Sequence, residues 1–226
     1  METMLATKTD SEIQQDVLRE LRWDSRIRET EVGVEVDKGV VTLTGVVESF
    51  PKKLAAREAA HRVVGVLDVA DDVQVKIPAL MTRSDTDIAQ AVRQALEWDV
   101  FVPDTRIRST VSNSWVTLEG EVDTLMDRVD AERVVRRLLG VRGVVNNITV
   151  SAPRVDSARV RDAIEEALER RAERAAGKID IRVEDGRVTV SGAVRSWPEK
   201  EAVLGAAREA PGVRAVVDRL RLEPYS

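Results

Sequence analysis

Three polar residues recur where a strand should show apolar ones: Asp71, Asn146 and Asp218, each two positions before Val73, Ile148 and Leu220. By strand parity each shares a face with that apolar neighbour, so its oxygen is aimed inward rather than at water. Two kinds of chemistry suit an oxygen so placed. It can accept hydrogen bonds from backbone N–H groups where the chain turns into the sheet, or it can help to ligate a cation. Calcium takes about six to eight oxygens, and one Asp or Asn per site falls well short. Backbone carbonyls would have to supply the rest, as potassium allows. The structural role is the expectation, with cation ligation as its alternative.

Catalytic chemistry is harder to assemble. A hydrolytic or redox centre needs a nucleophile, a base and an orienting group within reach of one another. The single histidine, His61, occupies the position taken elsewhere by Arg136 and Arg208, and reads as an exposed polar site on a helix. Cysteine is absent, and there is no phosphate-cradling glycine loop, dinucleotide fingerprint or zinc spacing. The carboxylates alternate with arginines along helical stretches, the pattern of solvated i,i+4 pairs. A non-enzymatic protein without a cofactor is expected.

The aromatic residues are few but placed in register. Trp23 and Trp98 are equivalent, just past a helix, with Arg170 in the third such position; Phe50, Leu125 and Trp197 are equivalent at the start of another helix. Such residues serve as hydrophobic staples or packing between modules. They can also anchor at a lipid surface, because tryptophan joins an apolar ring to an N–H donor. Lys52 and Lys53 follow Phe50 and would add attraction to anionic lipid. Trp23, Phe50, Lys52, Lys53 and Trp98 are therefore the candidate contact with a membrane or protein partner, and Trp197 is the rival surface.

The elements that position these residues come in triplicate. The run VVTLTG ends at Gly45, WVTLEG at Gly120 and RVTVSG at Gly192, offsets of 75 and 72 residues, and a second glycine follows each at the same interval (Gly65, Gly140, Gly212). A fixed period of this kind means repeated modules. Each opens with a capped helix whose apolar residues recur at i, i+4 and i+8: Ile13, Val17, Leu21; Ile88, Val92, Leu96; Val160, Ile164, Leu168. Thr9 with Glu12 and Ser84 with Asp87 have capping-box spacing. A β-hairpin follows, turning at Asp37-Lys38-Gly39, Ser112-Asn113-Ser114 and Glu184-Asp185-Gly186. The first glycine falls on the apolar face of the hairpin, where a missing side chain permits a close approach or a bulge.

A second helix starts near Ser49, Thr124 and Ser196, where Ser196 with Glu199 makes the better capping box and Thr124 with Asp127 the weaker. It is lined by small and apolar residues and ends at the second glycine in a Schellman-type stop. A final strand completes the module. The order αββαβ, with a right-handed crossover, predicts an α+β fold: three tandem modules, each a mixed three-stranded sheet packed on two helices. Boundaries are expected at 1–78, 79–153 and 154–226, with short joints at Pro78 and Pro153.

Charge narrows the function classes. The net charge is −5, distributed as −4 over residues 10–76, −3 over 84–151 and +1 over 156–222. Nothing resembles a polybasic tract, so nucleic-acid binding by counterion release is not expected. METMLATKTDSE contains no visible export signal; a cytoplasmic location is expected, or a periplasmic one should an export signal have been lost.

The module resembles the BON domain, named for bacterial osmotically induced and nodulation proteins. The likeness rests on the αββαβ order, the V-T-L-x-G strand, the Gly-Val after the second helix, and the final strands Val69-Ala70-Asp71-Asp72-Val73, Val144-Val145-Asn146-Asn147-Ile148 and Val216-Val217-Asp218-Arg219-Leu220. It covers nearly the whole chain. The resemblance implies a non-enzymatic bacterial module tied to osmotic and envelope stress and to phospholipid contact. Many members of that family are exported lipoproteins, and this sequence lacks a lipobox cysteine. A related cytoplasmic type binds potassium, which implies the alternative of a soluble scaffold for a protein partner or a monovalent cation.

Overall fold

A computed structural model describes residues 8–152, 155–170 and 179–224. Residues 1–7 of the segment read for an export signal, Pro153 and the side chain of Arg170 lie outside the described residues.

The first module runs α1 (Asp10–Trp23), β1 (Val32–Asp37), β2 (Val40–Val47), α2 (Phe50–His61) and β3 (Asp68–Val75). The second repeats it as α3 (Asp85–Trp98), β4 (Ile107–Ser112), β5 (Trp115–Val122), α4 (Leu125–Val135) and β6 (Gly143–Val150). The third is α5 (Ser157–Arg170), β7 (Asp180–Glu184), β8 (Arg187–Val194), α6 (Trp197–Glu209) and β9 (Ala215–Leu222). In each sheet the hairpin strands pair antiparallel and the crossover strand lies parallel to the middle one, so the third strand forms an outer edge.

The helical stripes do what their spacing demands. Ile13, Val17 and Leu21 bury against Val41, Leu43 and Val47 of the sheet and Ala55, Ala56, Ala59 and Ala60 of α2, with parallel sets in the other modules. Each large side chain so buried contributes about 1.5–3 kcal/mol. The alanines let α2 lie close on its sheet.

Caps follow the sequence in part. Thr9 and Ser84 form reciprocal boxes with Glu12 and Asp87. At the second helices the ranking reverses: Thr124 and Asp127 close a complete box, whereas Glu199 reaches past Ser196 to the Arg195 N–H at 2.7 Å, and Ser49 makes no side-chain cap bond. Glutamate is one methylene longer than aspartate, which lets it overshoot the cap residue.

The sequence also hides a tie. Asp10, the first residue of α1, accepts from Lys38 N–H at 2.8 Å and Gly39 N–H at 2.9 Å, and Asp85 does the same for Asn113 and Ser114. Both central turn residues have positive φ in each hairpin, the geometry of a tight I′-type turn, and the aspartate pins it to the helix N-terminus.

Two glycine readings change. The second glycine does not stop the helix: α2 ends at His61, and Gly65 at φ +103° sits inside a turn closed by the Val66 N–H on the Val63 carbonyl. At the first glycine, the close approach comes from the chain entering the first strand rather than from a helix. A Cβ at Gly45 would lie 2.1 Å from the Glu31 carbonyl oxygen, and one at Gly120 would lie 2.2 Å from that of Arg106.

The modules touch through their second helices. Leu125, which opens α4, is buried in the core of the third module. Trp197, its equivalent on α6, packs against the core of the first. Arg214 donates to the Ala152 carbonyl through Nε at 3.0 Å and Nη2 at 2.5 Å, tying the third module to the joint before it.

Candidate functional site

The three strand oxygens, half-buried at Asp71 and Asn146 but exposed at Asp218, are bracketed by cations of the protein itself. Asp71 Oδ1 accepts from the Val73 N–H at 3.3 Å, Asn146 Oδ1 from Ile148 at 3.2 Å and Asp218 Oδ1 from Leu220 at 2.9 Å. Lys53 Nζ stands 3.5 Å from Asp71 Oδ1 and donates to the Val73 carbonyl at 2.8 Å. Lys200 Nζ lies 2.7 Å from Asp218 Oδ2, and Arg128 Nη2 donates to the Asn146 carbonyl at 3.0 Å. Lys53, Arg128 and Lys200 are themselves spaced by 75 and 72 residues. Each module thus clamps its second helix to its outer strand with one basic residue, beside an oxygen that accepts from an N–H within that strand. An ammonium or guanidinium stands where an alternative cation would have to bind. Among the described residues, no group of three or more His, Cys, Asp or Glu could hold a metal ion.

The surface around Phe50 is already engaged. Phe50 is half-buried, Lys52 lies 2.9 Å from Glu48 and 3.6 Å from Glu31, and Lys53 is spent on the clamp. The lysines that were to supply attraction to anionic lipid are therefore neutralised within the module. Trp197 is also withdrawn from solvent. Its ring stacks on His61 with centroids 3.8 Å apart and planes 12° from parallel, and Lys200 Nζ lies 4.8 Å from the ring centroid. His61 is half-buried rather than exposed, and burial pushes its pKa below the usual histidine range, with nearby Arg57 adding to the shift.

What remains open is the tip after the first helix. Trp23 is 86% exposed and Trp98 80%, and Trp98 is followed by Val100 at 89% and Phe101 at 69%. Three large apolar side chains within four residues are a patch rather than scattered surface. The tip is held in shape: Asp99 Oδ1 accepts from the Phe101 N–H at 3.0 Å, and the Val102 N–H closes on the Asp99 carbonyl at 3.1 Å. In the first module the same aspartate, Asp24, is gripped by Arg26 Nε at 2.9 Å and Nη2 at 2.7 Å, which holds its carboxyl well below the usual range. Arg26 stands where the second module has Phe101, so one tip is ionic and the other apolar. Reasoning from repetition missed Val100 and Phe101 because they do not repeat.

With the site in view, the family model for the BON domain matches residues 9–77, 84–152 and 156–224. The chain belongs to the BON domain family. A curated BON-type relative, osmotically-inducible protein Y of Escherichia coli (strain K12), is 29% identical over 143 residues, covering 62% of this chain and 71% of that protein. Among solved structures, CdsD, a structural protein of the type III secretion system of Chlamydia trachomatis, aligns at 14% identity over 94% of this chain and 92% of that one, with a TM-score of 0.26. The PrgH periplasmic domain aligns at 15% identity over 92% and 99%, with a TM-score of 0.22. These scores are too low to bear on how the three BON modules are arranged. Among the described residues, no helix is long and apolar enough to cross a membrane.

Proposed function

We propose that this chain is a non-enzymatic, stress-associated BON protein whose second module makes weak contact with a phospholipid surface through Trp98, Val100 and Phe101. BON membership and the likeness to an osmotically inducible protein support the stress association. The observation that carries the lipid reading is the preorganised apolar tip, three exposed side chains on a turn fixed by Asp99. Full burial of one such side chain is worth about 1.5–3 kcal/mol, so a tip of three gives useful partitioning without a basic patch. Because residues 98–101 include no basic residue and Lys52 and Lys53 of the first module are paired, binding depends more on insertion than on charge, and salt weakens it only modestly.

Co-sedimentation with phosphatidylcholine vesicles, with and without anionic lipid, tests this. Binding of the wild type, reduced roughly tenfold or more in Phe101→Ser and unchanged in Trp197→Phe, supports insertion of the tip. Absence of binding by the wild type, or equal binding by Phe101→Ser, removes the lipid reading and leaves a protein partner for the same tip.

A further inference from the structure

A cavity of about 460 Å³ lies between α4 of the second module and α6 and β9 of the third, and four guanidinium groups line it: Arg128, Arg133, Arg136 and Arg208. In a chain of net charge −5 this is an unusual concentration of one sign. Leu125, Val129, Ala215 and Val216 supply the apolar part of its lining, and Glu132 is the acid in it. That carboxylate already accepts from Asn146 Nδ2 at 3.1 Å. We propose that this cleft binds a phosphate ester, its phosphate on the arginines and a small organic moiety against the valines.

The donor inventory supports the assignment. Each guanidinium has five N–H donors, and the structure uses few of them. Arg128 donates to the Asn146 carbonyl at 3.0 Å, Arg133 pairs with the buried Asp130 at 2.8 Å, and Arg208 pairs with Glu201 at 3.2 Å. Arg136 makes no ion pair among the described residues. These anchors hold three of the heads in place in the cavity lining without exhausting their donors. A carboxylate satisfies one guanidinium fork. A phosphate group offers three or more oxygens and satisfies several, which is the match for converging arginines. The volume is that of a small-molecule site and exceeds what bare phosphate needs.

The cleft is peculiar to one joint. The positions equivalent to Arg133 and Arg136 are Glu58 and His61 in the first module and Gly205 and Arg208 in the third. At the contact between the third and first modules, Trp197 stacks on His61, and the cavity left beside them is smaller, about 260 Å³, with Glu58 and Glu201 in its lining and Arg62 as its single guanidinium. Leu125 is smaller than tryptophan, and the room it leaves is what the arginines surround.

Two sources carry this chemistry, a soluble phosphate ester and the headgroup of a phospholipid. The test is a 1H–15N correlation titration of the full chain with sn-glycerol 3-phosphate, alongside co-sedimentation with vesicles containing phosphatidic acid. Shifts at the amides of Val129, Arg136 and Val216 on adding glycerol phosphate, about tenfold weaker in Arg136→Ala and in Arg208→Ala and unaffected in Lys76→Ala, support the site and a soluble ester as its ligand. Arg136→Lys keeps the charge but not the fork and falls between. Vesicle binding lost in the two arginine variants, without response to glycerol phosphate, also supports the site, with lipid as the source. Phe101→Ser leaves the glycerol phosphate response intact, so failure of the apolar tip and failure of the cleft are separable. No shift in these amides with either probe, or undiminished binding by folded Arg136→Ala/Arg208→Ala, overturns the proposal.

Discussion

Replacing Gly45 with alanine is the sharpest test of how the BON hairpin is built. Gly45 has φ +123° and pairs with Val32, and an added Cβ would sit 2.1 Å from the Glu31 carbonyl oxygen. That oxygen belongs to the backbone entering β1, so relief requires the strand itself to move. The strained φ costs about 1–3 kcal/mol, and disturbing one ladder hydrogen bond costs about 1 more. Together these give about 3 kcal/mol. Gly33, one step along in register, provides the contrast. Its added Cβ would meet Thr44 Oγ1 at 2.7 Å, the end of a side chain that can rotate. Gly33→Ala is expected to cost less than about 1 kcal/mol, offset by the lower chain entropy of alanine. At roughly 4–8 °C per kcal/mol for a domain of this size, Gly45→Ala lowers the melting transition of the first module by about 12 °C or more, and Gly33→Ala by less than about 8 °C. Calorimetry of the full chain, with far-UV circular dichroism to confirm folding, reads both. Equal melting of the two variants would refute the reasoning. Gly120, at φ +140° against the Arg106 carbonyl, makes the same prediction for the second module.

Thr124→Ala breaks a complete capping box and is expected to cost about 1 kcal/mol, while Ser49→Ala, which removes no cap bond, costs close to nothing; urea denaturation distinguishes them. Asp85→Ala frees the Asn113 and Ser114 N–H groups and is expected to destabilise the second module by about 1–2 kcal/mol, also readable by urea midpoint. The His61–Trp197 contact is expected to weaken in acid. Burial depresses the folded pKa of His61, aided by Arg57 and Lys200 and opposed by Asp68 and Glu201. Its contribution is therefore full above the unfolded value near about 6.5 and is lost as pH falls through the folded value. Trp197 emission followed from pH 8 to pH 5 should change in the wild type and stay flat in His61→Phe.

Much of this was legible because a core imposes a period. The i, i+4, i+8 stripe of Ile13, Val17 and Leu21 and the alternation in β5 are direct consequences of burial on one face, and their triplication left little freedom in topology. Parity set Asp71, Asn146 and Asp218 on the face of Val73, Ile148 and Leu220, but the N–H groups they accept from lie within the outer strand rather than at the turn that enters it. Their basic partners were equally available, since Lys53, Arg128 and Lys200 obey the same offsets. Other features leave no periodic trace. Asp10 serves a turn 28 residues away, Trp197 finds its partner in another module, and the apolar tip exists because Val100 and Phe101 depart from the repeat. Repetition reveals what every module shares; what one module does alone has to be seen in three dimensions.

The outer strands carry a last consequence. β3 and β9 each present charged residues along their length, Asp68, Asp71 and Asp72 in one and Asp218, Arg219 and Arg221 in the other, whereas β6 reads GVVNNITV without a single charge. An uncharged edge is a template for another strand wherever its backbone groups are not taken up, as Arg128 and Asn146 take up those at Asn146 and Ile148, and Val145 stands exposed on it. Self-association of this protein at high concentration, or after partial unfolding, should begin at β6. A lysine introduced at Asn147, whose side chain is exposed on that strand, is the place to prevent it.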